Sequence, residues 1–448
     1  MTTVSEIPPG PLPTTLSDWL ALLEARHPVA IELGLERVAA VAARLQLQRP
    51  APRVVTVAGT NGKGSCIAFL EALLAAAGRR TGSYTSPHLL AYNERVRIDG
   101  VPVADALLCG AFARIEAARG EIRLTYFETG TLAALLILAQ AGIDVALLEV
   151  GMGGRLDAVN IVSPDVAVIT SIALDHQEWL GADRDAIGIE KAGIARAGVP
   201  LVCGDPEPPA AMLAKLTELG APVIALGSQD FCVACGDGGL DLMCTDPGGK
   251  SVRYGGLPLP SLPLGSAACA VQALICLGMV PESGAVARTF ADTRLAGRFQ
   301  EFARDGRRVV LDVAHNPAAA TLLAARLRRG RGPEAAVHAV VGVLADKDIA
   351  GILAPLVPEI AHWHCCALPG VARGASASRV AGLLYNVTAD RGSRAMCSSH
   401  ADPATAFAAA FAESRPGDLV LVFGSFHTVA PVLAVLRDDR VSAGGEIG

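Results

Sequence analysis

Chemistry is written most plainly into Val54-Val-Thr-Val-Ala-Gly59-Thr-Asn-Gly-Lys63-Gly-Ser65, with a helix-like apolar run over 66–77 behind it. A β-branched run feeds a glycine-rich turn, and a lysine and a hydroxyl follow before the helix begins. Glycines let backbone N–H groups close on anionic oxygens. The helix N-terminus adds partial positive charge, and the lysine adds a full one. These are the parts of a phosphate cradle, so Thr60, Asn61, Gly62, Lys63, Gly64 and Ser65 are its candidate nucleotide-binding residues. The spacing departs from G-x-x-x-x-G-K-[ST]: Val57 stands at the first glycine, and Gly64 separates lysine from serine. The order of parts still predicts a nucleoside triphosphate site.

A second pattern, Leu147-Leu-Glu149-Val-Gly-Met-Gly-Gly-Arg155-Leu-Asp157, ends an apolar strand on a carboxylate. Nucleotide chemistry needs Mg²⁺ to offset phosphate charge, and one or two carboxylates usually hold it. Glu149 is the candidate ligand; a carboxylate capping the next helix is the plainer reading. The glycine turn brings backbone close to something, which favours the metal. Thr170-Ser-Ile-Ala-Leu-Asp175-His176 again sets polar groups past a strand, His176 for metal or phosphate and Asp175 to orient it. Glu190-Lys191 heads an apolar segment and reads most simply as a solvated helix face.

Two strand ends in the second half add acid, imidazole and hydroxyl. They are Asp312-Val-Ala-His315-Asn316-Pro317 and Gly424-Ser425-Phe-His427-Thr428. They suit one small polar ligand, with capping by Asn316-Pro317 as the alternative. No G-x-S-x-G elbow accompanies Ser425, so a serine hydrolase is not indicated.

Elements must carry these groups. Short apolar runs at 54–58, 145–149, 166–171 and 199–203 alternate with helix-length stretches such as 69–77 and 132–141, which predicts βαβ units and a mostly parallel sheet. Gly59, Glu149 and Ser171 each close or follow a strand, where such sheets bind ligands. The pattern degrades over 204–262 into a small β-rich excursion, and a helix-rich stretch follows over 267–291. Past a hinge near 293–297, strands at 308–311, 337–342, 362–366 and 419–423 start a second α/β series without a phosphate loop. The expected fold class is α/β, with domains at 1–295 and 296–448 facing a cleft. A helix is expected over 20–35.

Composition narrows the setting. At 448 residues, two domains are the default, and 51% hydrophobic residues suit buried parallel strands. No apolar stretch reaches about 18 residues, so no membrane partner is expected. The proline-rich first 15 residues carry no basic region and read as an extended leader rather than a signal peptide. A net charge of −6 argues against nucleic acid. Eleven cysteines, mostly within apolar runs, fit buried thiols in a reducing cytoplasm, and Cys232-Val-Ala-Cys235 lacks the second ligand pair of a zinc site.

Taken together, the motifs closely resemble the bacterial dihydrofolate synthase/folylpolyglutamate synthase family, relatives of the Mur ligases. The resemblance runs from about Trp19 to Leu436. It rests on the phosphate loop, Thr85-Ser-Pro-His-Leu89 with Glu94-Arg-Val96, and Glu149 to Asp157. Leu174-Asp-His176, Glu190-Lys-Ala-Gly193, Gly297-Arg-Phe299 and the two strand ends of the second half complete it. It implies a P-loop domain of Mur-ligase type and a smaller C-terminal glutamate-ligase domain. The implied reaction passes the γ-phosphate of ATP to a carboxylate, and L-glutamate attacks the acyl phosphate. The acid is dihydropteroate, or the terminal γ-carboxyl of a reduced folate.

Residue by residue, the resemblance implies magnesium ligands at Ser86, Glu149 and His176, and a carbamylated lysine, N6-carboxylysine, at Lys191 for the second of two Mg²⁺ ions. Lys63, Lys191, Asp312 and His315 are then the catalytic set. Ser266, Arg298 and Asp312 join the ATP site, and Asp312, His315 and Ser425 the glutamate site. The pterin side falls to Ile31, Glu32, Leu33, Thr125, Tyr126, Phe127, Glu128, Leu156, Asp157 and Ala158. Ser266 stands where relatives often carry asparagine, and Glu32 where they carry a shorter aspartate. A cytoplasmic monomer is expected. The alternative is a folylpolyglutamate synthase without dihydropteroate activity; a regulatory nucleotide switch would not need the strand ends of the second domain.

Overall fold

The computed structural model describes residues 12–442, except 27–31, 230, 237, 331, 333–334 and 390–394. The chain falls into two units. The first runs to Ile172 and resumes over Glu178–Thr293; the second takes Ala173–Gln177 and the chain from Arg294 onward.

Among the described residues, the first unit holds an eight-stranded sheet: β1 Arg53–Ala58, β2 Thr81–Tyr84, β3 Val96–Ile98, β4 Val101–Pro102, β5 Val145–Glu149, β6 Val166–Ile169, β7 Leu201–Cys203 and β8 Val223–Ala225. Their spatial order is β4-β3-β2-β5-β1-β6-β7-β8, parallel except where β3 and β4 fold back along one edge. Strand β1 is central and its Val54, Val55, Val57 and Ala58 are fully buried, hence its uninterrupted apolar run. Strands β5 and β6 flank it on either side, so the chain winds out one way through β2 and the other way through β6, and such a reversal opens a crevice beyond the strands' carboxyl ends. The turn 59–62 leaves β1 at that point.

Strand β2 escapes a reading by apolar runs, because Thr81-Gly-Ser-Tyr84 contains one large apolar side chain. It forms because β5 and β3 pair with it and its polar groups find partners; Ser83 Oγ donates to Glu71 Oε1 at 2.6 Å. The β-rich excursion is a three-stranded antiparallel sheet, β9 Cys232–Gly236, β10 Gly239–Thr245 and β11 Ser251–Leu257. Gln272, the polar interruption in the helix Leu264–Cys276, is fully buried. Its amide bonds both backbone groups of Thr245, at 3.0 and 2.7 Å, and so ties that helix to β10.

One expected helix forms differently. The helix Leu16–Arg26 stops before Pro28, residues 32–35 are not helical, and the next helix is Glu36–Arg44. Proline disfavours helix at and before its own position, and Gly34 takes φ 153°, outside helical space.

The second unit is a six-stranded sheet of order β12-β13-β17-β14-β15-β16, from β12 Gln300–Arg304, β13 Arg307–Asp312, β14 Val337–Val341, β15 His362–Cys366, β16 Met396–His400 and β17 Leu419–Phe423. Only β12 is antiparallel. Its core sets Trp363 and Phe423 edge to face, with ring centroids 6.3 Å apart. All eleven cysteines are free thiols, and among the described residues no helix is long and apolar enough to cross a membrane.

Candidate active site

Gly62 caps the helix Lys63–Ala76 at φ 86°, with no side-chain cap and no acidic residue in the first turn. The first N–H groups of a helix have no partner within it. Leaving this end uncapped makes it an anion site. The turn is pinned from beneath: Thr60 N donates to Ser171 O at 2.8 Å, Asn61 N to Ser171 Oγ at 3.0 Å, and Thr170 Oγ1 to Asn61 O at 2.7 Å. Ser266 Oγ donates to Gly62 O at 3.1 Å, so it braces the loop backbone. Glycine is required here by contact as well as by φ. A Cβ on Gly59 would lie 2.0 Å from Thr170 Oγ1, and one on Gly62 2.4 Å from Ser266 Oγ. Lys63 Nζ donates to Gly59 O at 3.0 Å, holding its charge over the turn, and Ser65 Oγ is buried without a hydrogen-bond partner.

Glu149 closes β5 opposite Val57 of β1, one residue short of the strand's end at Ala58. Its carboxylate is buried and accepts the Ser86 N–H at 3.1 Å, bringing two of the expected metal ligands together. The Cys66 thiol is pushed up by burial and then by the Glu149 charge. Ser86 sits on a loop organised by Glu94, whose carboxylate accepts the N–H groups of Leu89, Leu90 and Ala91 at 2.7–2.9 Å. That accounts for the glutamate in the Glu94-Arg-Val96 motif.

The glycines after Glu149 answer protein contacts. A Cβ on Gly151 would lie 2.5 Å from the Phe127 ring, and one on Gly154 2.9 Å from the carbonyls of Glu190 and Lys191. The metal reading of Glu149 therefore stands on its burial and on Ser86, and not on the glycine turn. The helix Arg184–Ala192 is no solvated face at this point: Lys191 is buried, and Glu190 pairs with Arg155 at 2.8 Å.

Ile31 lies outside the described residues, but the rest of the expected pterin set assembles. Gly34 N donates to Leu156 O at 3.3 Å, tying residues 32–34 to the turn before Asp157. Thr125 and Glu128 form a reciprocal capping box on the helix Tyr126–Gln140. The other oxygen of Glu128 pairs with Arg37 at 3.1 Å, and Arg37 also engages Glu32. Thr125, Glu128 and Glu32 are thus tied to scaffolding, whereas Tyr126 and Phe127 present rings, Phe127 6.1 Å from Tyr84. Asp157 is buried, and burial raises its pKa to about 6 against N–H donors from Met152, Val159 and Gly151 and the Lys63 charge. Sequence reasoning missed Arg37 and gave no role to Arg95 of the Glu94-Arg-Val96 motif, whose guanidinium lies 5.2 Å from the Tyr92 ring and 5.7 Å from the Tyr126 ring.

In the second unit, β13 and β17 run side by side with Asp312 opposite Phe423. Asp312 accepts N–H groups from Phe299 and Ala314, each at 2.8 Å, locking the loop 297–299 to the end of β13. Burial raises its pKa, and the Arg298 charge opposes that. Arg298 stacks 5.0 Å from the Phe426 ring. His315 Nδ1 faces Val313 O at 2.8 Å; a carbonyl only accepts, so that nitrogen carries a proton and Nε2 is directed at Asp175 Oδ2, 3.5 Å away.

Asp175 is held by more than its neighbour His176. Asn316 Nδ2 donates to it at 3.2 Å, and Lys347, absent from the sequence-derived set, forms an ion pair with it. Burial alone would raise its pKa. The His315 hydrogen bond and the charges of His176, Lys347 and His315 instead hold it well below the carboxylate range. His176 stands on the same segment at φ 51°. Ser425 Oγ accepts Thr428 N at 3.1 Å and lies 2.7 Å from Thr428 Oγ1, which donates to Gly342 O at 2.6 Å. Its hydroxyl caps the helix Phe426–Ser442.

Known proteins agree with this combination. The Mur ligase middle domain matches residues 57–200, and the Mur ligase glutamate ligase domain residues 297–426. The chain is 46% identical over 434 residues to the dihydrofolate synthase/folylpolyglutamate synthase of Escherichia coli K12, covering 96% of this chain and 97% of that one. Among solved structures, E. coli FolC in complex with DHPP and ADP superposes with a TM-score of 0.88 at 45% identity, covering 95% of this chain and 99% of that one. The Yersinia pestis bifunctional enzyme, complexed with AMPPNP and Mn ion, gives 0.86 at 46% identity, covering 95% and 98%. Fold and site thus define a Mur-type, ATP-dependent ligase. Within that class, the chain belongs to the dihydrofolate synthase/folylpolyglutamate synthase family. It is an enzyme that joins L-glutamate to dihydropteroate and to reduced folates.

Proposed function

We propose that the first unit activates the acid and the second supplies the groups that receive glutamate. The observation that carries this reading is the uncapped helix start at Gly62–Lys63 beside the buried Glu149–Ser86 pair, a cationic cradle next to an oxygen donor set. The backbone of residues 60–65 receives the β- and γ-phosphates. Lys63 neutralises charge that builds as the substrate carboxylate meets the γ-phosphate and ADP leaves. The glutamate amine then attacks the acyl carbon, a C–N bond forms, the acyl C–O bond breaks to release inorganic phosphate, and the amine gives up a proton.

Carboxylate and hydroxyl oxygens at Glu149 and Ser86 suit a hard cation, so the donor set fits Mg²⁺. When bound, magnesium offsets the negative charge shared by the two reacting anions. We assign Ser86, Glu149 and His176 as ligands, and the buried Lys191 as a carbamate for a second ion, a modification that turns its amine into an oxygen donor. Arg298, Asp312 and Ser266 are assigned to the nucleotide, Ser266 through the loop backbone. His315, Asp312 and Ser425 are assigned to glutamate, Ser425 by positioning the helix it caps. Tyr126, Phe127 and Asp157 form the pterin contact, with Ile31, Glu32, Leu33, Thr125, Glu128, Leu156 and Ala158 around it. We read the enzyme as a cytoplasmic monomer with no nucleic-acid partner.

Phosphate release in ATP, Mg²⁺ and L-glutamate, with dihydropteroate or tetrahydrofolate as acceptor and mass analysis of products, tests the assignment. Glutamate added to both acceptors is the expected result. Addition to tetrahydrofolate alone would leave a polyglutamylase and remove the pterin assignment; phosphate release without glutamate would remove the ligase reading.

A further inference from the structure

The second unit carries a histidine cluster that the ligase reaction does not use. Register sets His338 of β14 beside His362 of β15, Val340 beside His364, His364 beside Ser398 of β16, and Cys366 beside His400. Side chains two apart on a strand share a face, so His338, His362, His364, Ser398 and His400 lie on one side of the sheet. The helix Pro403–Glu413 packs over these strands and ends on Glu413. His338 and His362 stand at the amino-terminal ends of their strands, the opposite end of this parallel sheet from Asp312 and Phe423.

Two observations point to a ligand. One nitrogen of His338, one of His362 and a carboxylate oxygen of Glu413 lie within 4.8 Å of one another. Independently, His338 Nδ1 and His364 Nε2 are buried without a hydrogen-bond partner, on side chains 3% and 1% exposed. A buried imidazole nitrogen left unbonded is costly, and native structures contain few. His364 Nε2 faces Glu413 Oε2 at 3.6 Å, and Ser398 Oγ lies 3.1 Å from His364 Nδ1 and 2.8 Å from His400 Nε2. A hydroxyl at Nδ1 fixes the ring and leaves Nε2 as the outward donor, as partners of metal-bound histidines do.

We propose that His338, His362 and Glu413, with His364 beside them, form a second metal site that takes a divalent d-block cation, zinc foremost. Imidazole with one carboxylate selects zinc, cobalt or nickel over magnesium. Burial also keeps the His338 and His364 rings neutral, the form that donates a lone pair. The His338 and His362 rings stack 4.4 Å apart and 6° from parallel, so His362 must turn about its ring bond for both lone pairs to converge. It is half-buried and Glu413 is exposed, so the two groups that must move are the two that can, and they provide the entry path. The bound cation would clamp the end of the helix Pro403–Glu413 to β14 and β15.

The test uses full-length protein without a polyhistidine tag, in excess Mg²⁺ so that oxygen-donor sites are filled. Co²⁺ is titrated by visible absorption and displaced with Zn²⁺. The expected result is one equivalent of Co²⁺ with tetrahedral d–d bands, released by Zn²⁺, and a thermal midpoint that rises with Zn²⁺. His362→Ala and Glu413→Gln, both at accessible positions, should each weaken uptake at least ~10-fold while Mg²⁺-dependent ligation persists. Absence of stoichiometric uptake overturns the proposal. So does uptake that survives both substitutions, or that is lost instead in Cys232→Ala/Cys235→Ala.

Discussion

Asp175 and Lys347, 172 residues apart in sequence, form a buried ion pair in the second unit, with side chains 6% and 7% exposed. The same carboxylate accepts from Asn316 and faces His315, so one acid organises three groups at the start of the helix Pro317–Gly330.

Removing Lys347 leaves Asp175 buried beside weaker partners. Breaking one side of such a pair costs about 3–5 kcal/mol. Lys347→Met should therefore lower the urea midpoint at pH 7 and raise KM for L-glutamate. Because the Asp175 pKa is lowered from its ordinary 3.8, its stabilisation is present above 3.8 and is lost as pH falls below it. The gap between wild type and variant should narrow in acid; a gap unchanged by pH would mean the pair contributes nothing through ionisation.

Asp157 has the opposite sign. With its pKa raised to about 6, it is a carboxylate above that pH and an acid below. If it bonds the pterin as a carboxylate, KM for dihydropteroate should climb as pH drops through 6, while KM for ATP changes little. Asp157→Asn should flatten that profile. A profile identical in wild type and variant would assign the pH effect elsewhere.

Gly59 and Gly62 should tolerate no side chain. Positive φ costs an L-residue roughly 1–2 kcal/mol, and the Cβ contacts at 2.0 and 2.4 Å add to it. Gly62→Ala is expected to raise KM for ATP and Gly59→Ala to act more strongly, because Thr170 Oγ1 is itself bonded to Asn61 O. Adding Ser266→Ala to Gly62→Ala relieves the clash and not the φ, so steady-state kinetics should show partial rescue.

Lys63→Ala should reduce kcat by about 10²–10³-fold with a smaller effect on acceptor KM, as expected for charge met mainly in the transition state. Glu149→Gln should shift the Mg²⁺ activation curve to higher concentration, which Lys63→Ala should do far less. Metal titrations of the two variants that coincide would contradict the separate roles.

Local order along the chain was enough to place β1, β5 and β17, because strands buried on both faces read as near-continuous apolar runs. The phosphate turn was legible for a related reason: its glycines, lysine and hydroxyl act through backbone and spacing that are contiguous in sequence. Where a reading went astray, the cause lay across the fold. The glycines after Glu149 make room for Phe127 and the carbonyls of Glu190 and Lys191, a reason no local pattern carries. The helix over 20–35 is the exception with a local cause: it ends at Arg26, before Pro28, and Gly34 lies outside helical space.

The sequence by itself therefore determined the class of fold, the phosphate chemistry and the identity of most polar strand ends. Tertiary structure alone decided which of those ends share a partner: Lys347 with Asp175, Arg37 with Glu128, and the histidines of β14, β15 and β16 on one face. Backbone conformation is governed by neighbours in the chain, whereas a buried charge or imidazole is governed by whatever the packed sheet sets beside it.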